Sequence, residues 1–229
     1  MKKNNKAFTL ADYVDQLVET QPDAVISSFH DEINVFTVSE LNEKTNLLAK
    51  GLIYNGVDKG TPVALVVAET TNCLTFVLAL AKIGALLVPL NDQMELALIS
   101  ETLKKESVQT IGFYADTFLS RFKQLIPDYL QSERGYLQST DYPLLKNIVT
   151  FGSIKNRGIF TTRELMLLGA HMDDIEMESS LKVISPDDVF IKKVERNKEA
   201  TGSTSLTHKD LLTDDFSLKK LQQLLLEMV

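Results

Sequence analysis

The sequence predicts an α/β protein: a doubly wound, mostly parallel sheet with flanking helices, preceded by a small strand pair. Three observations lead there. Helix-period and strand-period stretches alternate along the chain, as they do when crossover helices join parallel strands. Residues 61–67 form a nearly continuous apolar run, the signature of a strand covered on both faces. Between Val63 and Phe113 the order reads strand, helix, strand, helix, strand, a unit that crossover geometry makes right-handed.

Taken in order, the first helix starts after Thr9, because Leu10, Tyr13, Val14, Leu17 and Val18 recur at helical spacing; Pro22 and Asp23 close it. Residues 24–29 and 35–37 read as short strands around a polar turn at 31–34. Ser39 is the expected cap of the next helix, whose apolar stripe is Leu41, Leu48, Leu52 and Ile53. Asn55-Gly56 suits a left-handed helix end, and Asp58-Lys59-Gly60 turns into strand 61–67. A very apolar helix over 71–83 ends at Gly84, and a strand resumes over 86–89. Further on come a helix over 96–105, a strand over 109–113, and a weaker stretch of helix and polar loop over 115–141. A strand at 148–151 precedes a helix over 161–168 that carries Glu164 three residues after its cap. An acidic connector at 173–182, a last strand at 189–194 and a helical segment over 211–228 complete the chain. No break in composition demands a second domain, so 1–229 is expected to fold as one unit.

The 44% hydrophobic and 24% charged content fits a soluble chain with a real core. No window holds eighteen consecutive apolar residues, which excludes a membrane-spanning helix. The basic start, Met1 to Lys6, leads into no apolar stretch, so the expected location is cytoplasmic. The net charge of −7 argues against nucleic acid or an anionic membrane as the main partner. Cys73 stands alone inside an apolar run and reads as a buried, inert thiol. His30, His171 and His208 have no Cys or His at ligand spacing, so no metal site is expected. Nucleophile-elbow, dinucleotide and Walker-type phosphate motifs are also missing from the sequence.

Several segments, in order, resemble the N-terminal region of the adenylate-forming (AMP-binding) superfamily, which includes acyl-CoA synthetases, luciferases and peptide-synthetase adenylation domains. Phe36-Thr37-Val38-Ser39-Glu40-Leu41 resembles the F/L-T-Y-x-E-L segment, and Asn46-Leu47-Leu48-Ala49-Lys50-Gly51-Leu52 the N-x-L-A-x-x-L helix. The stretch from Gly56 to Ala64 follows the G-V-x-x-G-D-x-V-A turn. Leu80-Ala81-Lys82-Ile83-Gly84-Ala85-Leu86-Leu87-Val88-Pro89-Leu90-Asn91 is similar to the L-A-x-x-K-x-G-A-x-x-x-P-L-N core motif. Later, Pro186-Asp187-Asp188-Val189 is similar to the lead into the phosphate loop, and the run from Leu206 to Leu212 to its L-T-H-x-N-L exit. Most of these residues are scaffold. Gly56, Gly60 and Gly84 fall at turns, and Ser39 and Thr207 suit helix caps.

Between lead-in and exit the family carries a loop resembling Y-T-S-G-T-T-G-x-P-K-G, whose glycines and hydroxyls wrap ATP phosphates. Here residues 192–205 are a degenerate version. Glu195 and Glu199 would repel a triphosphate, and Arg196 is bulky where backbone must approach. Thr201, Gly202, Ser203 and Thr204 are the candidate nucleotide-binding remnant, with a polar surface loop as the alternative.

The resemblance implies ligase chemistry: carboxylate plus ATP to acyl-adenylate, then thioester to CoA, in fatty acid metabolism. ATP, Mg²⁺ and CoA are cofactors by resemblance only, and none is expected for this chain; no catalytic residue carries over. The family is more than twice as long, so the leading expectation is a truncated synthetase-like protein that is inactive alone. The alternative is an interaction or regulatory subunit docking on a partner that supplies the rest. An unrelated flavodoxin-type domain is disfavoured, because no hydroxyl- or glycine-rich loop follows the strand at 63–67. In the segment 206–229, Leu218, Leu221, Leu224, Leu225 and Met228 form one helical stripe. That stripe either mediates a homo-oligomer or protein partner, or folds back onto its own sheet.

Overall fold

A computed structural model describes residues 8–26, 35–152, 154, 156–173, 183–196 and 201–229. Its organising strand is β3 (Pro62–Val66), whose side chains alternate between two cores. Val63 and Leu65 face one, Ala64 and Val66 the other, as a two-residue period requires. That is why the run is apolar throughout: every position from Val63 to Val66 is buried.

Around β3 lie β4 (Leu86–Leu90), β5 (Thr110–Phe113), β6 (Asn147–Thr150), β7 (Phe160–Thr161), β8 (Val189–Arg196) and β9 (Thr201–Thr207), in the order β7-β6-β5-β3-β4-β8-β9. Every pairing is parallel except β8 with β9. β4 pairs on one side of β3 and β5 on the other, so the winding reverses at β3 and the sheet is doubly wound. Separately, β1 (Val25–Ile26) and β2 (Phe36–Thr37) make the small antiparallel pair. The turn expected at 31–34 lies outside the described residues.

The first core holds α1 (Leu10–Thr20), α2 (Val38–Tyr54), α3 (Thr71–Ile83) and α6 (Thr162–Gly169). The second holds α4 (Leu96–Lys105) and α5 (Ala115–Leu125), with Phe113, Phe118, Phe122 and Tyr129 packed together. Gly84 ends α3 at φ 76°, a conformation open to glycine and strained for other residues.

Four helices start with the same device. Thr9, Thr37, Thr161 and Thr207 each cap a helix, and the acidic residue three positions later bonds back to the cap N–H. Thr37, not Ser39, caps α2: its backbone is extended, its hydroxyl accepts from Glu40 N–H at 3.1 Å, and the Glu40 carboxylate accepts Thr37 N–H at 2.8 Å. Those bonds from Thr37 hold the Glu40 carboxyl below its ordinary range.

Helices α2 and α6 touch backbone to backbone. A Cβ on Gly51 would lie 2.0 Å from the Leu165 carbonyl oxygen, and one on Gly169 2.1 Å from that of Leu47. Glycine is required there for proximity.

Three sequence expectations change. Thr201–Thr207 and Phe160–Thr161 are strands that the apolar pattern does not reveal. The helical segment over 211–228 is two helices, α7 (His208–Leu211) and α8 (Leu218–Glu227), because Ser217 starts a new capped helix after the Thr213-Asp214-Asp215 turn. On α8, Leu218, Leu221 and Leu225, with Met228 just beyond, are buried in the first core and Leu224 packs against it. Most of the stripe therefore folds back onto its own chain. The connector is described only at Asp173. Among the described residues no helix is long and apolar enough to cross a membrane.

Candidate functional site

The stretch that the sequence resemblance aligns with a phosphate loop forms two paired antiparallel strands. β8 enters beside β4, with Leu87 opposite Ile191, so its end at Arg196 lies beyond the carboxyl ends of the parallel strands. That is where open α/β sheets bind ligands. β9 returns antiparallel, pairing Arg196 with Thr201, Glu195 with Gly202, Val194 with Ser203, Lys193 with Thr204 and Lys192 with Ser205. The residues between the strands, 197–200, lie outside the described residues.

Each end of the hairpin is anchored. At the lead-in, the Asp188 carboxylate takes the Lys59 ammonium at 2.6 Å and the Ser185 N–H at 2.6 Å. The Lys59 contact, then the Ser185 bond, hold that carboxyl below its ordinary range. In the middle, Phe190 and Ile191 are buried, and Lys192 reaches the largely buried Glu106 at 2.5 Å. At the exit, Thr207 caps α7 with Asp210, whose carboxyl the Thr207 N–H holds low. His208 is buried, stacked on Phe190 with ring centroids 5.1 Å apart.

The four candidate nucleotide-binding residues fall on β9, and the strand does not make them converge. Pairing puts Ser203 on the face of Val194 and Thr204 on that of Lys193, so their hydroxyls point to opposite sides. Gly202, Ser203 and Thr204 are exposed. Gly202 does not have a positive φ, and an added Cβ there would meet nothing within 4 Å. Neither a left-handed turn nor a close approach uses its missing side chain. A phosphate cradle needs N–H groups and hydroxyls aimed at one point; β9 instead spends alternate N–H groups on β8. The described residues do not fit a triphosphate.

Other expected features sit elsewhere. Cys73 is buried in the first turn of α3, and burial pushes its thiol up to about 11, so it is unreactive at neutral pH. Among the described residues no group of three or more His, Cys, Asp and Glu could hold a metal. An open cleft of about 680 Å³ lies between α2 and α6, lined by Phe36, Lys44, Asn72, Phe151 and Arg163. A groove of about 400 Å³ lies beside β9, lined by Leu206, Phe216 and Leu224. Sequence reading missed the part His208 plays. Its place in the Leu-Thr-His stretch was visible, but not its contact with residues near the N-terminus.

Comparisons with known proteins agree with this architecture. YngI of Bacillus subtilis, described as an acyl-CoA synthetase, is 23% identical over 214 residues. That match covers 92% of this chain and 38% of YngI, so the chain spans well under half the length of this relative. The N-terminal subdomain of Klebsiella oxytoca NpsA, solved with 3-hydroxybenzoyl-AMSN, superposes with a TM-score of 0.62 at 19% identity, covering 91% of this chain and 43% of that one. A protein of Rhodopseudomonas palustris described as a long-chain-fatty-acid CoA ligase gives 0.68 at 18% identity, covering 90% and 46%. Likeness at these identities establishes the fold. A family match is independent of it: residues 14–138, more than half of the chain, match the AMP-binding enzyme family. On this sequence match, the chain belongs to the family of AMP-binding enzymes.

Proposed function

We propose that this chain is the front scaffold of an acyl-CoA synthetase-like ligase and does not by itself activate carboxylates with ATP. One observation carries the reading: the stretch that resembles a phosphate loop is a paired strand on which Ser203 and Thr204 fall on opposite faces. Adenylation requires the triphosphate to be oriented for attack by a carboxylate, and orientation with charge stabilisation supplies most of such catalysis. Among the described residues, the paired strands offer no convergent set of N–H donors. What the chain retains is the sheet and helices on which the family builds its site.

The alternative, a docking subunit whose partner supplies the rest of the family's length, needs a surface for that partner, and Leu218, Leu221 and Leu225 of the C-terminal stripe are buried within this chain and supply none. The inactive-scaffold reading is therefore preferred.

The purified chain should release no pyrophosphate with ATP, Mg²⁺ and a panel of fatty and aromatic acids. Nor should millimolar ATP raise its melting temperature, whereas a ligand at a hundred times its Kd would add about 2.7 kcal/mol. Turnover that Ser203→Ala abolishes would overturn the proposal.

A further inference from the structure

We infer that His208 is a pH-gated latch between the N-terminal helix and the β8–β9 hairpin, closed while its imidazole is neutral and opened when the ring gains a second proton. The argument starts from what the ring touches. Its Nδ1 accepts the Leu10 N–H at 3.3 Å, across 198 residues of sequence. The His208 N–H donates to the Asp188 carbonyl at 3.3 Å, and its carbonyl accepts Leu212 N–H at 3.2 Å. The ring lies against Phe190 with an interplanar angle of 18°. One residue thus joins the first turn of α1, the start of β8 and helix α7.

An Nδ1 that accepts a hydrogen bond carries no proton, so the neutral ring has its proton on Nε2. A second proton would go to Nδ1, the atom facing Leu10 N–H. Two donors would then confront each other in a site shielded from water, and the cationic ring would be packed on Phe190. Opening the first turn of α1 relieves both penalties.

The surrounding charges are mixed. Asp188 before β8 and Asp12 on α1 favour the cation, while Lys59 in the turn before β3 opposes it. On α7 itself, Lys209 and Asp210 are exposed. Burial outweighs the carboxylates and lowers the ring to about 4, so the closed latch resists protonation and the open one does not. The same proton that is refused by the closed state therefore drives opening.

The His208→Asn variant separates the latch from general acid loosening, because the Asp12 carboxylate that accepts Thr9 N–H on the same turn of α1 is common to both proteins. Tyr13 packs edge-on to Phe216 at 4.8 Å, and Asp15 pairs with Lys82 at 2.9 Å.

The test is site-resolved amide exchange on the whole chain, corrected for intrinsic rate, with long-range nitrogen spectra of the ring. The ring should show the Nε2-protonated tautomer at neutral pH. Opening at the Leu10–Val14 amides should rise about tenfold per pH unit between roughly pH 6.5 and pH 4. Amides of β3 should respond much less. His208→Asn, which keeps an acceptor and cannot titrate, should flatten the α1 response. An Nδ1-protonated ring, α1 and β3 opening in step, or an unchanged response in His208→Asn would each overturn the latch. If His208→Asn does not fold, the wild-type tautomer and the α1-to-β3 difference decide the matter alone.

Discussion

The parallel body and the β8–β9 hairpin belong to one sheet but are held in different ways. In β3, β4 and β5 nearly every residue is buried, and the alternation between two cores fixes register: a slip by one residue would exchange every side chain between the faces. In β9, four successive residues from Gly202 to Ser205 are exposed, and register follows from pairing with β8. The body resists change because its volume is filled. β9 tolerates it because little there is packed. In this chain the parallel body carries the family match.

The contrast can be broken most severely at the helix that closes the first core. Leu221→Ser with Leu225→Ser should cost roughly 5 kcal/mol in urea unfolding, since truncating buried leucines alone removes about 2–5 kcal/mol each. Light scattering should show a monomer before and after; an oligomer that the pair turns into a stable monomer would mean the stripe is an interface instead.

Next in size is Gly51→Ala. Its Cβ would enter the Leu165 carbonyl, so α2 and α6 must separate, at a cost of about 3 kcal/mol. A change below 1 kcal/mol would show that the helix pair yields freely.

Acid should sharpen the comparison. A folded His208 near 4 against an unfolded value of 6.5 means that the unfolded state binds the proton first. Stability is therefore full above about pH 6.5 and falls as pH drops toward 4, by about 3 kcal/mol in all, a loss that His208→Asn should largely remove.

The smallest effect belongs to the hairpin. Ser203→Ala and Thr204→Ala should each stay within about 0.5 kcal/mol of wild type. A loss near 2 kcal/mol would mean that these hydroxyls make bonds essential to the fold.

How much of this was legible in sequence follows from the same contrast. Strands β3 to β6 announced themselves because burial on both faces forces an apolar run, and Gly84 marked its helix end. β9 could not: Thr-Gly-Ser-Thr-Ser-Leu-Thr has no hydrophobic period, and only its pairing makes it a strand. The Thr37–Glu40 cap was written in the sequence, at the same spacing as Thr161–Glu164, but Ser39 stood nearer the apolar stripe and drew the assignment. Gly51 and Gly169 gave no local sign, because the approach they permit exists only once α2 and α6 meet. His208 was silent for the same reason: its partner, Leu10, is at the other end of the chain.

The outer edge of β9 has a consequence for how the protein behaves at high concentration. Among the described residues β9 has a single strand neighbour, so a row of backbone donors and acceptors faces away from the sheet. Natural edges are commonly guarded by lysine, proline or an inward-pointing charge against adding strands from other molecules. The seven residues of β9 contain none of these. Their protection is compositional: serine, threonine and glycine give an incoming strand almost no apolar surface to bury, which keeps six- or seven-residue zipper packing unrewarding. The hydroxyls of β9 thus act as gatekeepers, and replacing Ser203 and Ser205 with valine would turn a guarded edge into a seed for aggregation.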